Sequence, residues 1–87
     1  MRNNYTKSKK EMETFVSLCD TVLQSGLLDK EKEYLVEAVM FFAKEALKHI
    51  KNGESAEKHD RPKEEIDNIY KKCGYCMLAV TALYKSL

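Results

Sequence analysis

Two cysteines three residues apart form the clearest chemical motif in this 87-residue chain. Cys73-Gly74-Tyr75-Cys76 has the C-x-x-C spacing of zinc sites and thiol redox sites, since two thiolates so placed can share a metal ion or form a disulfide. Cys19 supplies a third thiol. If the helices that carry the cysteines begin at the same level, the three sulfurs share one layer and lack only a fourth ligand.

The same cysteines also suit a hydrophobic core, because free cysteine is among the most buried residue types. Cys73 and Cys76 both fall on the apolar positions of a helical pattern. A thioredoxin-like site requires a preceding strand, which the sequence does not predict. His59 precedes Cys73 by fourteen residues, which is ~20 Å along a helix. We therefore expect core thiols without metal or cofactor, and the alternative is a metal-binding or redox module that uses Cys19, Cys73 and Cys76.

Residues for catalysis are few. Glu45 and His49 lie one helical turn apart, but such a pair more simply stabilises its helix, with the histidine near the negative end. The sequence contains no Glu-x-x-His pair of the di-iron type, no glycine-rich phosphate loop and no nucleophile elbow. We expect no enzymatic activity.

The charge balance argues against nucleic-acid binding. Fifteen Lys and Arg face fourteen Asp and Glu, and only Arg2 and Arg61 are arginines. A lysine-rich N-terminal arm (Tyr5, Lys7, Lys9, Lys10) and a second basic group (Lys58, His59, Arg61, Lys63) are each interleaved with or followed by acids. Binding through the arm is the second alternative. With no long apolar run, no signal-peptide pattern and an odd number of cysteines, we expect a cytoplasmic protein away from membranes.

Capping signals divide the chain into three helices within one domain, 1–87. Ser8 and Glu11 have the spacing of a capping box, and Ser25-Gly26 is a typical helix stop. Asp29 is a good N-cap for the second helix, and Asn52-Gly53 is expected to end it. The expected helices are 8–24, 29–51 and 61–86, with 1–7 as a flexible arm and 53–60 as an exposed loop.

Apolar periodicity gives each helix one core face. The third helix carries a heptad seam that includes Ile69 and Val80, and the second has a broad apolar face through Val39 and Ile50. The first helix presents Met12, Cys19 and Val22, among others. With no strand pattern, the economical fold is an all-α, antiparallel three-helix bundle whose first helix is shorter than the others.

Two helices also carry apolar residues outside their core faces. The second helix has Tyr34, Ala38 and Phe41, and the third has Tyr75, Leu78 and Ala82. In an up-down-up bundle these sets lie at the same end of the molecule and are expected to adjoin as one patch. Exposed apolar area on a small domain usually marks association, and aromatic side chains are enriched at interfaces.

The sequence therefore favours a non-enzymatic protein-interaction module, acting as a small regulator, adaptor or inhibitor through an apolar helical surface. The expected partner is a second copy of the chain, giving a homodimer, with a heterologous protein as a further partner.

Overall fold

The computed structural model describes residues 5–87, which form three α-helices. Helix α1 spans Tyr5–Ser25, α2 spans Lys30–Lys58 and α3 spans Lys63–Lys85. Their lengths of 21, 29 and 23 residues confirm that the first helix is the shortest. Residues 5–87 contain no strand, so this part of the chain is all-α, as predicted.

The connection between α1 and α2 has the predicted chemistry. Gly26 has a φ of 70°, in the left-handed region that glycine enters without steric penalty, and α1 ends at the residue before it. The Asp29 carboxylate accepts a hydrogen bond of 2.9 Å from the backbone N–H of Lys32. This bond satisfies one of the free amides of the first turn of α2 and confirms Asp29 as its N-cap.

The predicted start of α1 is wrong. Residues 5–7, assigned to a flexible arm, are already helical, and residues 1–4 of that arm lie outside the described residues. Ser8 therefore lies within the helix and cannot serve as the N-cap of a capping box. The physical reason is a tertiary contact: the Tyr5 ring stacks on Tyr70 of α3, with the ring centroids 4.3 Å apart. This contact stabilises helical turns that the local sequence does not favour.

The predicted loop 53–60 is also wrong, because α2 continues through Gly53 to Lys58. Gly53 and Ala56 are buried, and Glu57 accepts a 2.9 Å hydrogen bond from the Tyr70 hydroxyl. The turn to α3 occupies only residues 59–62. Small residues thus continue the buried face of α2 where the larger apolar side chains stop.

Helix α2 is the central element and packs against both of its neighbours. Its 29 residues span ~43 Å at 1.5 Å per residue, nearly the full 46 Å length of the molecule. Lys9 near the start of α1 forms an ion pair of 3.6 Å with Glu54 near the end of α2. Helices α1 and α3 meet through two aromatic pairs, Tyr5 with Tyr70 and Phe15 with Tyr84.

The core lies along α2. Its central buried side chains are Met12, Cys19, Val36, Val39, Ala43, Ala46, Ile50, Cys73 and Val80. Val22, predicted on the core face of α1, is exposed, and Ile69, on the seam of α3, is half-buried. Tyr70, the residue after Ile69, is buried. No helix within residues 5–87 has the length and apolar character that crossing a membrane requires.

Candidate functional site

The first candidate surface is the outer face of α2. Tyr34 and Phe41 are 62% and 58% exposed, and Ala38 between them is half-buried. The three residues, called here the α2 stripe, have the spacing i, i+4, i+7 and so lie on one side of the helix. Each of Tyr34 and Phe41 stands two residues from a buried valine, Val36 or Val39. Two residues correspond to about 200° of rotation, so the stripe lies opposite the core.

The outer face of α3 carries a second apolar set. Tyr75 and Leu78 are 59% and 69% exposed, and Ala82 is also exposed. These three residues are called the α3 stripe. Tyr75 and Leu78 border a surface groove together with Tyr5 and Tyr70, at the seam between α3 and the start of α1. The two stripes therefore lie on the outer sides of two different helices.

An apolar groove at one end of the bundle was not predicted from the sequence. It has a volume of about 360 Å³, and its one charged lining residue is Lys32. This end groove is formed by α1, the α1–α2 connection, α2 and the C-terminal end of the chain. Its lining residues are Phe15, Leu18, Cys19 and Val22 from α1, Leu28 from the connection, Lys32, Val36 and Val39 from α2, and Tyr84 and Leu87 from the C-terminal end.

The end groove arises because α3 stops short of the end of α1. Phe15 contacts Tyr84 edge to face, with the ring centroids 5.4 Å apart, and α3 ends one residue later at Lys85. Helix α1 continues for ten more residues to Ser25, which is ~15 Å. Over this distance α1 and α2 pack against each other without α3. Val22 is consequently 38% exposed, although it lies on the predicted core face of α1, and Leu18, one turn before it, is 57% exposed.

The predicted common layer of three thiols is wrong. It assumed that α1 and α3 begin level, whereas Tyr5 in the first turn of α1 stacks on Tyr70, the eighth residue of α3. Cys19 lies fourteen residues beyond Tyr5, and Cys73 lies only three beyond Tyr70. The two cysteines are therefore roughly 15 Å apart along the bundle. Within residues 5–87, no group of three or more His, Cys, Asp or Glu side chains is arranged to hold a metal ion.

The surroundings of all three thiols raise their pKa values and so favour the protonated form. Burial raises the pKa of Cys73 to about 11, with a further contribution from the nearby Cys76, and Cys73 is completely inaccessible. Burial also raises the pKa of Cys19, and burial followed by the charge of Glu45 raises that of Cys76. All three cysteines are free. Because the thiolate is the nucleophile and the metal ligand, these raised pKa values oppose both kinds of chemistry at neutral pH.

The basic groups suggested by the sequence are partly neutralised. Lys9 pairs with Glu54, and Lys63 lies 3.8 Å from Asp67. Arg61 donates hydrogen bonds of 2.9–3.2 Å to both carboxylate oxygens of Glu65. This contact lowers the pKa of Glu65, chiefly through the hydrogen bond. Such pairing reduces the positive potential that phosphate binding would use.

Glu45 and His49, the two residues considered for catalysis, have a simpler structural role. Glu45 lies 3.9 Å from Lys48 in an exposed ion pair, so one carboxylate oxygen of Glu45 already has a cation beside it. His49 is half-buried at a wide polar groove between the end of α2 and the start of α3. His59, at the same groove, shares a 2.8 Å hydrogen bond with the backbone oxygen of Ser55. These contacts stabilise the helix ends.

Comparison with protein-family models, curated proteins and solved structures gives no match for this chain. The candidate surfaces therefore rest on geometry and chemistry alone. Of the six predicted interaction residues, the four large ones are exposed on the outer faces of α2 and α3. The end groove could have been predicted only by placing Phe15 opposite the last turn of α3. That placement depends on how far α1 and α3 are shifted along each other, which the apolar pattern of neither helix gives.

Proposed function

We propose that this protein is a non-enzymatic protein-interaction module, a small regulator, adaptor or inhibitor that associates with a second copy of itself as a homodimer. The α2 stripe is the contact between copies in this proposal. The α3 stripe offers a second apolar surface, on a different helix, to a heterologous protein. An adaptor needs two such separate surfaces, since one must remain free when the other is occupied.

The observation that carries the proposal is the exposure of four large apolar side chains opposite the core. Tyr34, Phe41, Tyr75 and Leu78 are 58–69% exposed. None belongs to the buried cluster, and Phe41 touches it only through Phe42, with the ring centroids 5.2 Å apart, so polar residues at these positions would cost the fold little. Exposed apolar area on a small domain usually marks association when it is contiguous, as along one helix face, and tyrosine and phenylalanine are typical interface anchors.

The contacts between helices support the antiparallel bundle within this proposal. The Lys9–Glu54 ion pair joins the beginning of α1 to the end of α2, and the Tyr70–Glu57 hydrogen bond joins the first half of α3 to the same region. Successive helices then run in opposite directions, which the short connections also favour. The three free thiols favour a reducing compartment, and we place the protein in the cytoplasm on that basis.

Substitution within each stripe tests the proposal. Phe41→Glu puts a charge at the centre of the α2 stripe, and sedimentation equilibrium should show a monomer at concentrations where the unmodified chain is dimeric. Asn52→Glu is the matched control, because Asn52 is exposed on the same side of α2 three turns away. Leu78→Glu should leave the dimer intact and abolish capture of a heterologous partner. A Phe41→Glu protein that remains dimeric would contradict the assignment of the α2 stripe.

A further inference from the structure

The end groove and the α2 stripe are both apolar and lie on the same turns of one helix. Val36 and Val39 form part of the floor of the groove, while Ala38 and Phe41, two residues further on, belong to the stripe. The groove is a depression lined almost entirely by apolar side chains, and the stripe exposes two aromatic rings on the outer side of a helix. The groove of one copy can therefore receive the stripe of another.

We infer that the occupant of the end groove is the α2 stripe of a second copy of this chain. This inference rests on the proposed self-association and names the surface that receives the stripe. It also identifies a new binding site, formed by the ends of α1 and α3 over the first turns of α2, whose ligand is an amphipathic helix.

Spacing and size both match. A helix lying in an apolar groove uses anchors at i, i+3 or i+4, and i+7, and Tyr34, Ala38 and Phe41 have this pattern. A cavity of ~150 Å³ accepts a benzene molecule, and the end groove, with a volume of about 360 Å³, has room for an aromatic side chain. Ala38, between the rings, allows the two helices to approach closely.

Charge selects the α2 stripe over the α3 stripe. Lys32 is the charged residue of the groove and is exposed, so a carboxylate on the entering helix can pair with it. Glu37 is exposed on α2 between Tyr34 and Phe41, next to Ala38. The α3 stripe has no such group, because the chain contains no Asp or Glu after Asp67. Only the α2 stripe brings a carboxylate together with its aromatic anchors.

The contact is not reciprocal within a pair. Groove and stripe occupy opposite sides of the same turns of α2, so two copies facing each other cannot fill both grooves at once. A dimer has one occupied groove, and it keeps a free groove on one copy and a free stripe on the other. Such a heterologous contact lets further copies add in the same direction, and the dimer is the first member of a head-to-tail series.

Two variants that each retain one half of the contact provide the test. Leu18→Glu damages the groove at an exposed position of α1, and Phe41→Glu damages the stripe. Each variant alone should be monomeric in sedimentation velocity at a concentration where the unmodified chain associates. Mixed in equal amounts, they should form a 1:1 dimer that does not grow further. Ser17→Glu, exposed on α1 and outside the groove lining, should associate like the unmodified chain.

The outcomes separate this inference from the proposed function. A Leu18→Glu protein that still associates, beside a Phe41→Glu protein that does not, overturns the groove and leaves the stripe as a self-association surface. A mixture that stays monomeric overturns the groove as well. An unmodified chain that is monomeric throughout overturns both, and the end groove would then receive a different protein or an apolar ligand.

Charge reversal gives a second test that avoids the apolar residues. Lys32→Glu or Glu37→Lys alone should weaken association by roughly tenfold, because each places like charges together at the contact. When the two variants are mixed, a contact between unlike copies joins opposite charges whichever copy supplies the groove, so the mixture should associate better than either variant alone. The double variant Lys32→Glu, Glu37→Lys restores an opposite pair at every contact and should recover the association. Failure of this recovery contradicts the Lys32–Glu37 contact.

Discussion

The ring of Tyr70 lies directly over the backbone of Gly53, at the contact between α2 and α3. A Cβ atom at residue 53 would stand 2.5 Å from Cζ of Tyr70 and 2.6 Å from Cε1. The ring is held in place on both sides: its hydroxyl donates to Glu57, and its face stacks on Tyr5. One glycine therefore allows a buried tyrosine to connect all three helices.

Gly53→Ala should destabilise the protein. Alanine is intrinsically better than glycine in a helix by ~1 kcal/mol, but the methyl group would overlap the Tyr70 ring, and overpacking of this kind costs ~1–3 kcal/mol. Because the ring has little freedom to move, we expect the steric term to dominate. Urea unfolding followed by circular dichroism should show a lower midpoint.

Gly74→Ala is the matched control for that prediction. Gly74 lies within α3, and a Cβ atom there would have no neighbour within 4 Å. Only the higher helix propensity of alanine then matters, and the free energy of unfolding should rise by ~0.5–1 kcal/mol. If both alanine variants shift the midpoint in the same direction, the close approach of Tyr70 to Gly53 is not as described.

The two isoleucines Ile50 and Ile69 should respond differently to truncation. Ile50 is completely buried, whereas Ile69, on the predicted seam of α3, is half-buried. Ile50→Ala should cost ~2–5 kcal/mol through lost burial and the cavity that remains. Ile69→Ala should cost clearly less. Equal losses in chemical denaturation would mean that α3 is rotated relative to α2.

These positions also indicate how far the sequence determines the fold. The glycine and aspartate signals at Gly26 and Asp29 act locally, so they could be recognised without tertiary information. Gly53 could not, because a glycine that ends a helix and one that accommodates a ring from another helix look alike in sequence. Apolar periodicity likewise identified the α2 stripe, but it wrongly placed Val22 in the core. The periodicity of one helix carries no information about where a neighbouring helix stops.

Stability should fall in alkaline solution. The pKa of Cys73 rises from 9.0 to about 11 on folding, so between these values the unfolded chain has lost a proton that the folded chain keeps. Raising the pH through this range therefore favours the unfolded state. The raised pKa values of Tyr5 and Tyr70 act in the same direction above pH 10. The free energy of unfolding should be lower at pH 11 than at pH 9, and Cys73→Ala should reduce this dependence.

The thiols should be inert at neutral pH. Cys73 should react with a small thiol reagent only at the rate of unfolding, since it is both inaccessible and protonated. Cys76, which is half-buried, should react faster than Cys73. The helicity should survive a chelator unchanged. Stoichiometric zinc that is lost together with helicity would contradict this account and identify the thiols as metal ligands.

The most direct test of the central claim is the mass of the unmodified chain as its concentration is raised. Sedimentation equilibrium should show the monomer of 10.1 kDa giving way first to a dimer and then to larger species, and Phe41→Glu should abolish the change while its circular dichroism stays the same. A chain that remains monomeric at the highest attainable concentration would contradict self-association through the α2 stripe.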